Sequence, residues 1–333
     1  MILHPPILAL LVGSLLVSFL LVLASWYAIR ILRHWDLQSG SELQLVLERR
    51  TYLISTVMTY ACAFQVVSLF LFIYTADDLA PLFVGAMCAV GTLFVNPYGY
   101  PTLMLKVVNA VLAGAWLIVN HADNQGRDYP LIRKKYACLL ALAPVVWIEA
   151  AAQGAYFAGL KANVITSCCG TLFSTATPGV ASELAALPSI PMKIAFYTVV
   201  AALLASGTWY AWRASGGYVV ALLSVLAFLT SIAALISFIS LYIYELPTHH
   251  CPFCILQREY YFIGYPMYGL LICGVIAGLG LGLLYRWRQT PSLRFIMPPL
   301  TRRLSVATMV CFGVFAAIST YVMMATTFRL EGY

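Results

Sequence analysis

Residues 7–30 read ILALLVGSLLVSFLLVLASWYAIR and contain no charged side chain before Arg30. A helix needs about 20 apolar residues to cross the hydrocarbon core of a bilayer, so this stretch predicts a transmembrane helix. Such stretches recur along the chain, and because they are continuous rather than alternating, a transmembrane barrel is excluded. The predicted spans are 7–30, 52–74, 102–120, 137–160, 193–213, 217–243, 259–285 and 305–327.

The composition supports this prediction, because 62% of the 333 residues are hydrophobic and 9% are charged. Soluble globular chains contain about 25% charged residues, so a soluble fold with an ordinary surface is excluded. Only helices and closed barrels can satisfy their backbone hydrogen bonds in lipid. We therefore expect an all-α, polytopic membrane helical bundle with about eight transmembrane helices. The net charge of +7 does not indicate nucleic-acid binding, since the basic residues cluster in the loops between spans.

The apolar stretch 82–95 is too short to span a bilayer, and the turn-forming sequence NPYGYP follows it at 96–101. We expect a re-entrant or interfacial segment here. Cytoplasmic loops carry an excess of Lys and Arg, and this bias places both termini outward, on the periplasmic side of a bacterial inner membrane. Fourteen of the 19 basic residues then share the cytoplasmic side: Arg30, Arg33, Arg49, Arg50, Arg127, Arg133, Lys134, Lys135, Arg213, Arg286, Arg288, Arg294, Arg302 and Arg303.

The cysteines divide into two groups. Two pairs lie in predicted outward loops, Cys168 with Cys169 in 161–192 and Cys251 with Cys254 in 244–258. The outward side of a bacterial inner membrane is oxidising, so disulfides persist there. The remaining five lie singly in apolar stretches, where we expect small buried side chains: Cys62, Cys88, Cys138, Cys273 and Cys311.

The sequence Cys251-Pro-Phe-Cys254 comes directly before the seventh predicted span. The positive end of a helix lowers the pKa of a cysteine, and proline suits the first helical turn. This pattern predicts a redox pair at a helix start, with Cys251 the more exposed sulfur and Cys254 the resolving one. Arg258 would lie one turn deeper on the same face and would stabilise a thiolate or hold a polar cofactor head.

Adjacent Cys168 and Cys169 have Cα atoms about 3.8 Å apart, whereas relaxed disulfides need about 4.4–6.8 Å. A bond between them would be strained and easily reduced, so we expect a labile redox pair or an attack by one member on Cys251–Cys254. Two other readings stay open, a static disulfide and a soft-metal site for copper, zinc or mercury. The metal ligands would be His249, His250, Cys251 and Cys254, joined by Cys168 and Cys169.

The motif running from Cys251 and Cys254 to Arg258 resembles the active site of the bacterial disulfide-bond formation protein B family. The order of elements, with the loop cysteines before the Cys-x-x-Cys motif, resembles the vitamin K epoxide reductase family. The likeness covers about 137–286 and implies a four-helix bundle that passes electrons between thiols and a membrane quinone, ubiquinone or menaquinone. It implies a redox pair at Cys251 and Cys254, with Arg258 contacting the quinone and a thioredoxin-like periplasmic thiol protein as partner.

The resemblance suggests two domains. Residues 137–333 would form the four-helix redox bundle plus one extra C-terminal span. Residues 1–136 match no family and would form a three-span region whose role is unknown, with contact to a partner membrane subunit as one possibility. Membrane lipids would surround both domains.

Other polar and aromatic residues fall in or beside the spans. Glu149 lies in the fourth span, and an ionisable residue at that depth indicates function. It would accept a proton near the quinone, or it would be a neutral acid hydrogen-bonded to a neighbouring helix. Tyrosines beside the motif, Tyr261 among them, would form either an interfacial belt or the walls of a quinone pocket.

Three functions are therefore expected. The first is a quinone-dependent membrane thiol–disulfide oxidoreductase that uses Cys251, Cys254, Cys168 and Cys169. The second is a soft-metal transporter or chaperone that uses the same loops and the two histidines. The third is a structural subunit of a membrane complex.

Overall fold

A computed structural model describes residues 3–36, 39–126, 128–161, 164–166, 183 and 187–330. These residues include eight helices long and apolar enough to cross a membrane, which confirms the predicted helical bundle with eight spans. The helices are α1 (Pro5–His34), α2 (Glu42–Asp78), α3 (Ala89–Leu93), α4 (Gly99–Gln125), α5 (Ile132–Ala158), α6 (Ser189–Arg213), α7 (Gly217–Ala234), α8 (Ser240–Tyr244), α9 (Gly264–Arg286) and α10 (Met297–Ala325).

The segment between α2 and α4 contains no spanning helix, as predicted for 82–95. It holds a 3₁₀ turn at Ala80–Leu82 and the five-residue helix α3. The sixth span is continuous but irregular, because a π-helical segment at Leu235–Ile239 joins α7 to α8. Such π segments widen the helix by one residue and are frequent at functional sites.

The chain forms two compact units, and they do not follow the predicted boundary between 136 and 137. The first comprises Met1–Thr75, Asn96–Leu160 and Leu283–Thr301, and the second comprises Ala76–Val95, Lys161–Gly282 and Arg302–Tyr333. The fourth span, α5, belongs to the first unit because it packs along α1 and α4. The second unit therefore holds the fifth to seventh spans and most of α10.

The first unit has an apolar core between α1, α2, α4 and α5, with Trp116 and Tyr136 among its largest side chains. An ion pair lies beside this core: Lys135 Nζ is 2.6 Å from Asp123 Oδ2, and both side chains are fully buried. Lys135 is one of the basic loop residues that the sequence predicts on the cytoplasmic side. The structure instead buries it, because a carboxylate on α4 compensates the charge.

The second unit packs helices closely through small residues. Gly274, Gly278 and Gly282 follow one face of α9 at four-residue intervals, a spacing that lets helix backbones approach in membranes. A Cβ atom built on Gly278 would lie 2.2 Å from Ser224 Oγ of α7, and one on Gly274 would lie 2.8 Å from the Phe312 ring of α10. The glycines therefore set the distance from α9 to both neighbours.

We predict that Gly278→Val destabilises the protein by about 1–3 kcal/mol, because overpacking forces the helices apart. Gly269 lies on the same helix, and a Cβ atom there meets nothing within 4 Å. Gly269→Ala is the matched control and should be neutral or slightly stabilising, since alanine favours helix over glycine. Thermal unfolding in detergent measures both variants. Equal midpoints for the two variants would contradict the close packing of α7 and α9.

Candidate functional site

Three cysteine side chains meet in the second unit. The Sγ atoms of Cys88, Cys251 and Cys254 all lie within 4.8 Å of one another. The sulfurs of Cys88 and Cys251 are 3.6 Å apart, which is a contact distance and not the roughly 2.05 Å of a covalent bond. All three side chains are buried, with exposed fractions of 0%, 0% and 5% in chain order. We call these residues the cysteine cluster.

Two tyrosine hydroxyls fix the backbone of the Cys-x-x-Cys turn. Tyr244 Oη donates to the carbonyl oxygen of Cys251 at 2.5 Å, and Tyr268 Oη donates to that of Pro252 at 2.6 Å. Buried carbonyl groups need such partners, because they have lost their hydrogen bonds to water. The turn is therefore held in place from α8 on one side and from α9 on the other.

The prediction that this motif begins the seventh helix is wrong. Helix α9 begins at Gly264, and the motif is followed by two 3₁₀ turns, Cys254–Leu256 and Arg258–Tyr260. Gln257 between them is extended, with φ −80° and ψ 161°, so Arg258 does not continue a helical face from Cys254. Pro266 explains the later start, since proline is favoured in the first turn of a helix.

The predicted exposure of Cys251 is also wrong, because its side chain is fully buried by the packing of the turn against Cys88. Arg258, by contrast, is exposed. The dipole of a long helix consequently does not act on these sulfurs as the sequence analysis expected. Each of the three sulfurs is instead shielded from solvent and lies close to the other two thiols.

A carboxylate at the end of α2 joins Cys88 to the Cys-x-x-Cys loop. Asp77 Oδ1 accepts hydrogen bonds from the backbone N–H of Ala89 at 3.1 Å and from Gln257 Nε2 at 3.3 Å. Gln257 Nε2 also donates to the carbonyl oxygen of Met87 at 2.7 Å. Asp77 and Gln257 thus join the two residues that flank Cys88, Met87 and Ala89, to the loop that follows Cys254.

The same segment also contacts the chain just before the adjacent cysteines. The backbone N–H of Thr166 donates to Val84 O at 3.0 Å, and its hydroxyl donates to Gly91 O at 2.8 Å. Gly85 makes this approach possible, because it has a φ of +87° and a Cβ atom there would lie 2.1 Å from Thr166 O. Cys168 and Cys169 themselves lie outside the described residues.

The two histidines do not complete the predicted metal site. Among the described residues, the group of metal-ligating atoms that lie within 4.8 Å of one another contains Cys88 in their place. His250 Nδ1 lies 2.9 Å from Ile236 O, a carbonyl group in the π-helical segment. His249 packs edge-on against the Tyr244 ring at 4.5 Å. Burial lowers the pKa of His249, and the neighbouring His250 also lowers it, while Cys88 acts in the opposite direction.

A cavity of about 430 Å³ opens beside the Cys-x-x-Cys loop, and its walls combine aromatic rings with carboxylates. Tyr261 is among the lining residues, and Arg258 is not. Tyr260 connects the cavity to the cluster, because its ring packs at 4.7 Å on Tyr244, the residue that binds Cys251 O. The lining residues are Tyr242, Ile243, Glu245, Glu259, Tyr260, Tyr261, Ile263, Tyr321, Val322, Ala325 and Thr326.

Burial raises the pKa of Tyr260, and the proximity of Cys254 and Glu259 raises it further. The phenol therefore stays protonated at neutral pH and can donate a hydrogen bond into the cavity. A protonated phenol can donate a hydrogen bond to a carbonyl group of a ligand in the cavity.

Glu149 is fully buried in the first unit, where its carboxylate pairs with Lys106 at 2.8 Å. Its partner Lys106 belongs to the neighbouring helix α4, and this contact agrees with both expected forms of Glu149, a carboxylate that accepts a proton and a neutral acid. Lys106 lies four residues after the start of the predicted span 102–120, and no pattern in the sequence around it indicates this pair.

Cys88 is the functional candidate that the sequence analysis missed. The expectation of a small buried side chain agrees with its full burial and that of Cys62, but Cys273 is exposed and Cys138 and Cys311 are half-buried. What distinguishes Cys88 is its place in the short segment 82–95, predicted not to span. A cysteine in a re-entrant segment was the available signal.

Three thiols at these distances can perform two kinds of chemistry. A thiolate can attack a neighbouring disulfide and displace the second sulfur, because exchange proceeds through direct sulfur–sulfur contact. Three thiolates can also bind one soft metal ion such as Cu(I) or Zn²⁺.

No protein-family model, curated protein or solved structure matches the chain. The resemblance of the Cys251–Arg258 motif to quinone-linked thiol oxidoreductases stays an expectation from the sequence.

We predict that the Cys254→Ser variant forms a disulfide between Cys88 and Cys251 under mild oxidation, because these sulfurs are already in contact. Mass spectrometry of proteolytic fragments identifies the linked peptides. Adding Gln257→Ala should lower the yield, since it removes the hydrogen bonds that hold both segments. A disulfide that joins Cys251 to Cys62 or Cys138 instead, or no disulfide at all, would contradict the geometry.

Proposed function

We propose that this protein is a membrane thiol–disulfide oxidoreductase whose reaction centre is the cysteine cluster. The observation that carries the proposal is the 3.6 Å contact between Cys88 and Cys251, with Cys254 in the same buried group. A static disulfide needs two cysteines and no neighbour. A third thiol in contact with a Cys-x-x-Cys pair allows one disulfide to be exchanged for another inside the protein.

The internal step is a balanced exchange. The Cys88 thiolate attacks Cys251 Sγ of a Cys251–Cys254 disulfide, the Cys88–Cys251 bond forms, and Cys254 leaves as a thiolate. No electron is gained or lost in this step, and the reverse attack by Cys254 restores the starting state. Net oxidation of an external dithiol requires an electron acceptor that takes two electrons and two protons.

The cluster is buried, so a protein substrate cannot reach its sulfurs directly. We assign this contact to Cys168 and Cys169. Thr166 is hydrogen-bonded to the segment that carries Cys88, and Cys168 follows it by two residues, which span at most about 7 Å. The partner would be a thioredoxin-like thiol protein on the periplasmic side of a bacterial inner membrane. Residues 1–136 would serve as a contact for a partner membrane subunit.

The proposed electron acceptor is a membrane quinone, ubiquinone or menaquinone, in the tyrosine-lined cavity. Quinone would supply two-electron redox chemistry there. Tyr260 can donate a hydrogen bond to a ring carbonyl, while Tyr242 and Tyr321 offer aromatic walls. Glu245 and Glu259 also line the cavity. Arg258, the residue expected at the quinone, is not needed for this arrangement.

A second candidate function is soft-metal transport or delivery, and the same geometry favours it. Three buried sulfurs within 4.8 Å of one another form a ligand set for Cu(I), Zn²⁺ or Hg²⁺. His249 and His250 would not be ligands, because Cys88 takes the place predicted for them. This candidate needs no quinone and no change in cysteine oxidation state.

We predict that purified protein in lipid couples the oxidation of dithiothreitol to the reduction of a short-chain ubiquinone. Cys251→Ser and Cys254→Ser should reduce the rate to background, and Cys88→Ser should lower it strongly, since each removes a sulfur from the exchange. Cys62→Ser is the matched control, because this buried cysteine lies in the first unit. Quinone reduction followed by absorbance measures the rate.

Two results would overturn the redox proposal. One is full activity in Cys251→Ser. The other is tightly bound copper or zinc at one ion per chain, lost on substitution of any cysteine of the cluster, in a protein without quinone turnover. The second result would establish the metal-binding candidate.

The cavity generates a separate prediction. Val322→Phe places a larger ring in the cavity wall, and we expect the KM for quinone to rise roughly 5–10-fold, about 1–1.4 kcal/mol of lost binding. Val314→Phe is the control, since Val314 is exposed on the same helix and does not line the cavity. Steady-state kinetics over a range of quinone concentrations measures both. An unchanged KM in Val322→Phe would exclude the cavity as the quinone site.

A further inference from the structure

The first unit contains a buried polar cluster that the proposed function does not use. Lys106 Nζ lies 2.8 Å from Glu149 Oε1, with exposed fractions of 2% and 0%. Asn109 Nδ2 donates to the other carboxylate oxygen of Glu149 at 3.3 Å, and Lys106 Nζ donates to Ser68 Oγ at 3.4 Å. Helices α2, α4 and α5 each contribute to the cluster.

The cluster has unused hydrogen-bonding capacity. Gln65 Nε2 and Asn109 Oδ1 are buried and make no hydrogen bond to the described residues. Gln65 belongs to the same cluster, because its Oε1 accepts a hydrogen bond from Ser68 at 3.2 Å. A buried donor and a buried acceptor without protein partners normally bind water. Water molecules bound at Gln65 Nε2 and Asn109 Oδ1 would complete the hydrogen bonding of the cluster.

The pair lies away from the ends of helices α4 and α5. Lys106 follows the start of α4 by seven residues and Glu149 precedes the end of α5 by nine, distances of about 10 and 13 Å along the helices. Charges at such depth are costly, and replacing a buried pair by apolar residues often leaves stability unchanged or improved. Packing alone does not explain why this pair is present.

The other buried pair provides a contrast. Asp123 and Lys135 lie within three residues of the helix ends of α4 and α5. Asp123 Oδ1 accepts from the backbone N–H of Leu131 at 2.8 Å, and Lys135 Nζ donates to Ser55 Oγ at 3.3 Å. This pair ties the α4–α5 turn together, and a structural role accounts for it.

The surroundings of Lys106 and Glu149 contain few titratable groups. Lys106 lies 5.4 Å from the centre of the Phe72 ring, which also packs on Tyr156. On the next turn of α5, Gln153 donates to Leu10 O and Ser14 Oγ of α1. Within the contacts of the described residues, Lys106, Glu149 and the phenol of Tyr156 are the titratable groups near the pair.

We propose that Lys106 and Glu149 form an intramembrane proton-binding site, at which Glu149 takes up and releases a proton through bound water. Uptake converts the carboxylate to a carboxylic acid, release restores it, and no electron moves. Both states can be satisfied. The carboxylate accepts from Asn109 Nδ2, and the acid can donate to Asn109 Oδ1 after the amide rotates. When Glu149 is neutral, the remaining partners of Lys106 are Ser68 Oγ and the face of the Phe72 ring.

Infrared difference spectroscopy of the full-length protein in lipid tests this proposal. Acidification should produce the C=O band of one buried carboxylic acid, and ¹³C labelling of glutamate should shift that band to lower frequency. Transfer to D₂O should also shift it, because bound water connects the acid to the solvent. These measurements use the native sequence and do not depend on the folding of a variant.

Variants test whether Glu149 is the residue that gives this band. The double variant Lys106→Met/Glu149→Gln removes both charges, so it should fold and should lose the band completely. Asp123→Asn is the matched control and should keep it. A band that survives in the double variant would overturn the proposal. The absence of a glutamate band, which a permanent ion pair predicts, would also overturn it. So would a band that does not shift in D₂O, which indicates an acid that does not exchange its proton with the solvent. Thiol oxidation by the cysteine cluster is measured separately, so its failure would be distinguishable.

Discussion

The proposed chemistry depends on the hydrogen bonds of one carboxylate. Asp77 binds the N–H that follows Cys88 and the amide of Gln257, which in turn binds the carbonyl group that precedes Cys88. Cys88 and Cys251 are 163 residues apart in sequence, and their sulfurs touch because these bonds hold both segments. Tyr244 and Tyr268 fix the second segment from the other side. Asp77 and Gln257 thus link the segment of Cys88 to the loop of Cys251 and Cys254.

Hydropathy predicted the spans well because every spanning helix must be long and apolar, whatever it packs against. The short segment 82–95 was predicted for the same reason. The site was predicted only in part. Spacing identified Cys251 and Cys254 as a pair, and the two alternatives for Tyr261, an interfacial belt and a pocket wall, stay predictions. Cys88 could not be found this way, since its role comes from a tertiary contact. The helix start at Gly264 was missed because two 3₁₀ turns intervene.

Charged residues also differ in whether the sequence predicts their place, because some depend on tertiary contacts. The number of Lys and Arg residues in a loop predicts its side of the membrane, and this rule applies to exposed residues such as Arg258. Lys106 and Lys135 are instead buried against Glu149 and Asp123. Nothing in the local sequence around either lysine indicates its partner, because each pair joins two helices. The distinction matters for function, since one pair ties a turn together and the other is the proposed proton-binding site.

The oxidation states of the cysteines in intact membranes test the central claim most directly. Acid quenching followed by alkylation traps each thiol, and mass spectrometry reads the state of Cys88, Cys251 and Cys254 with and without quinone depletion. The account predicts that the cluster holds one disulfide when quinone is present and becomes reduced when quinone is depleted. A cluster whose oxidation state does not respond to quinone would contradict it.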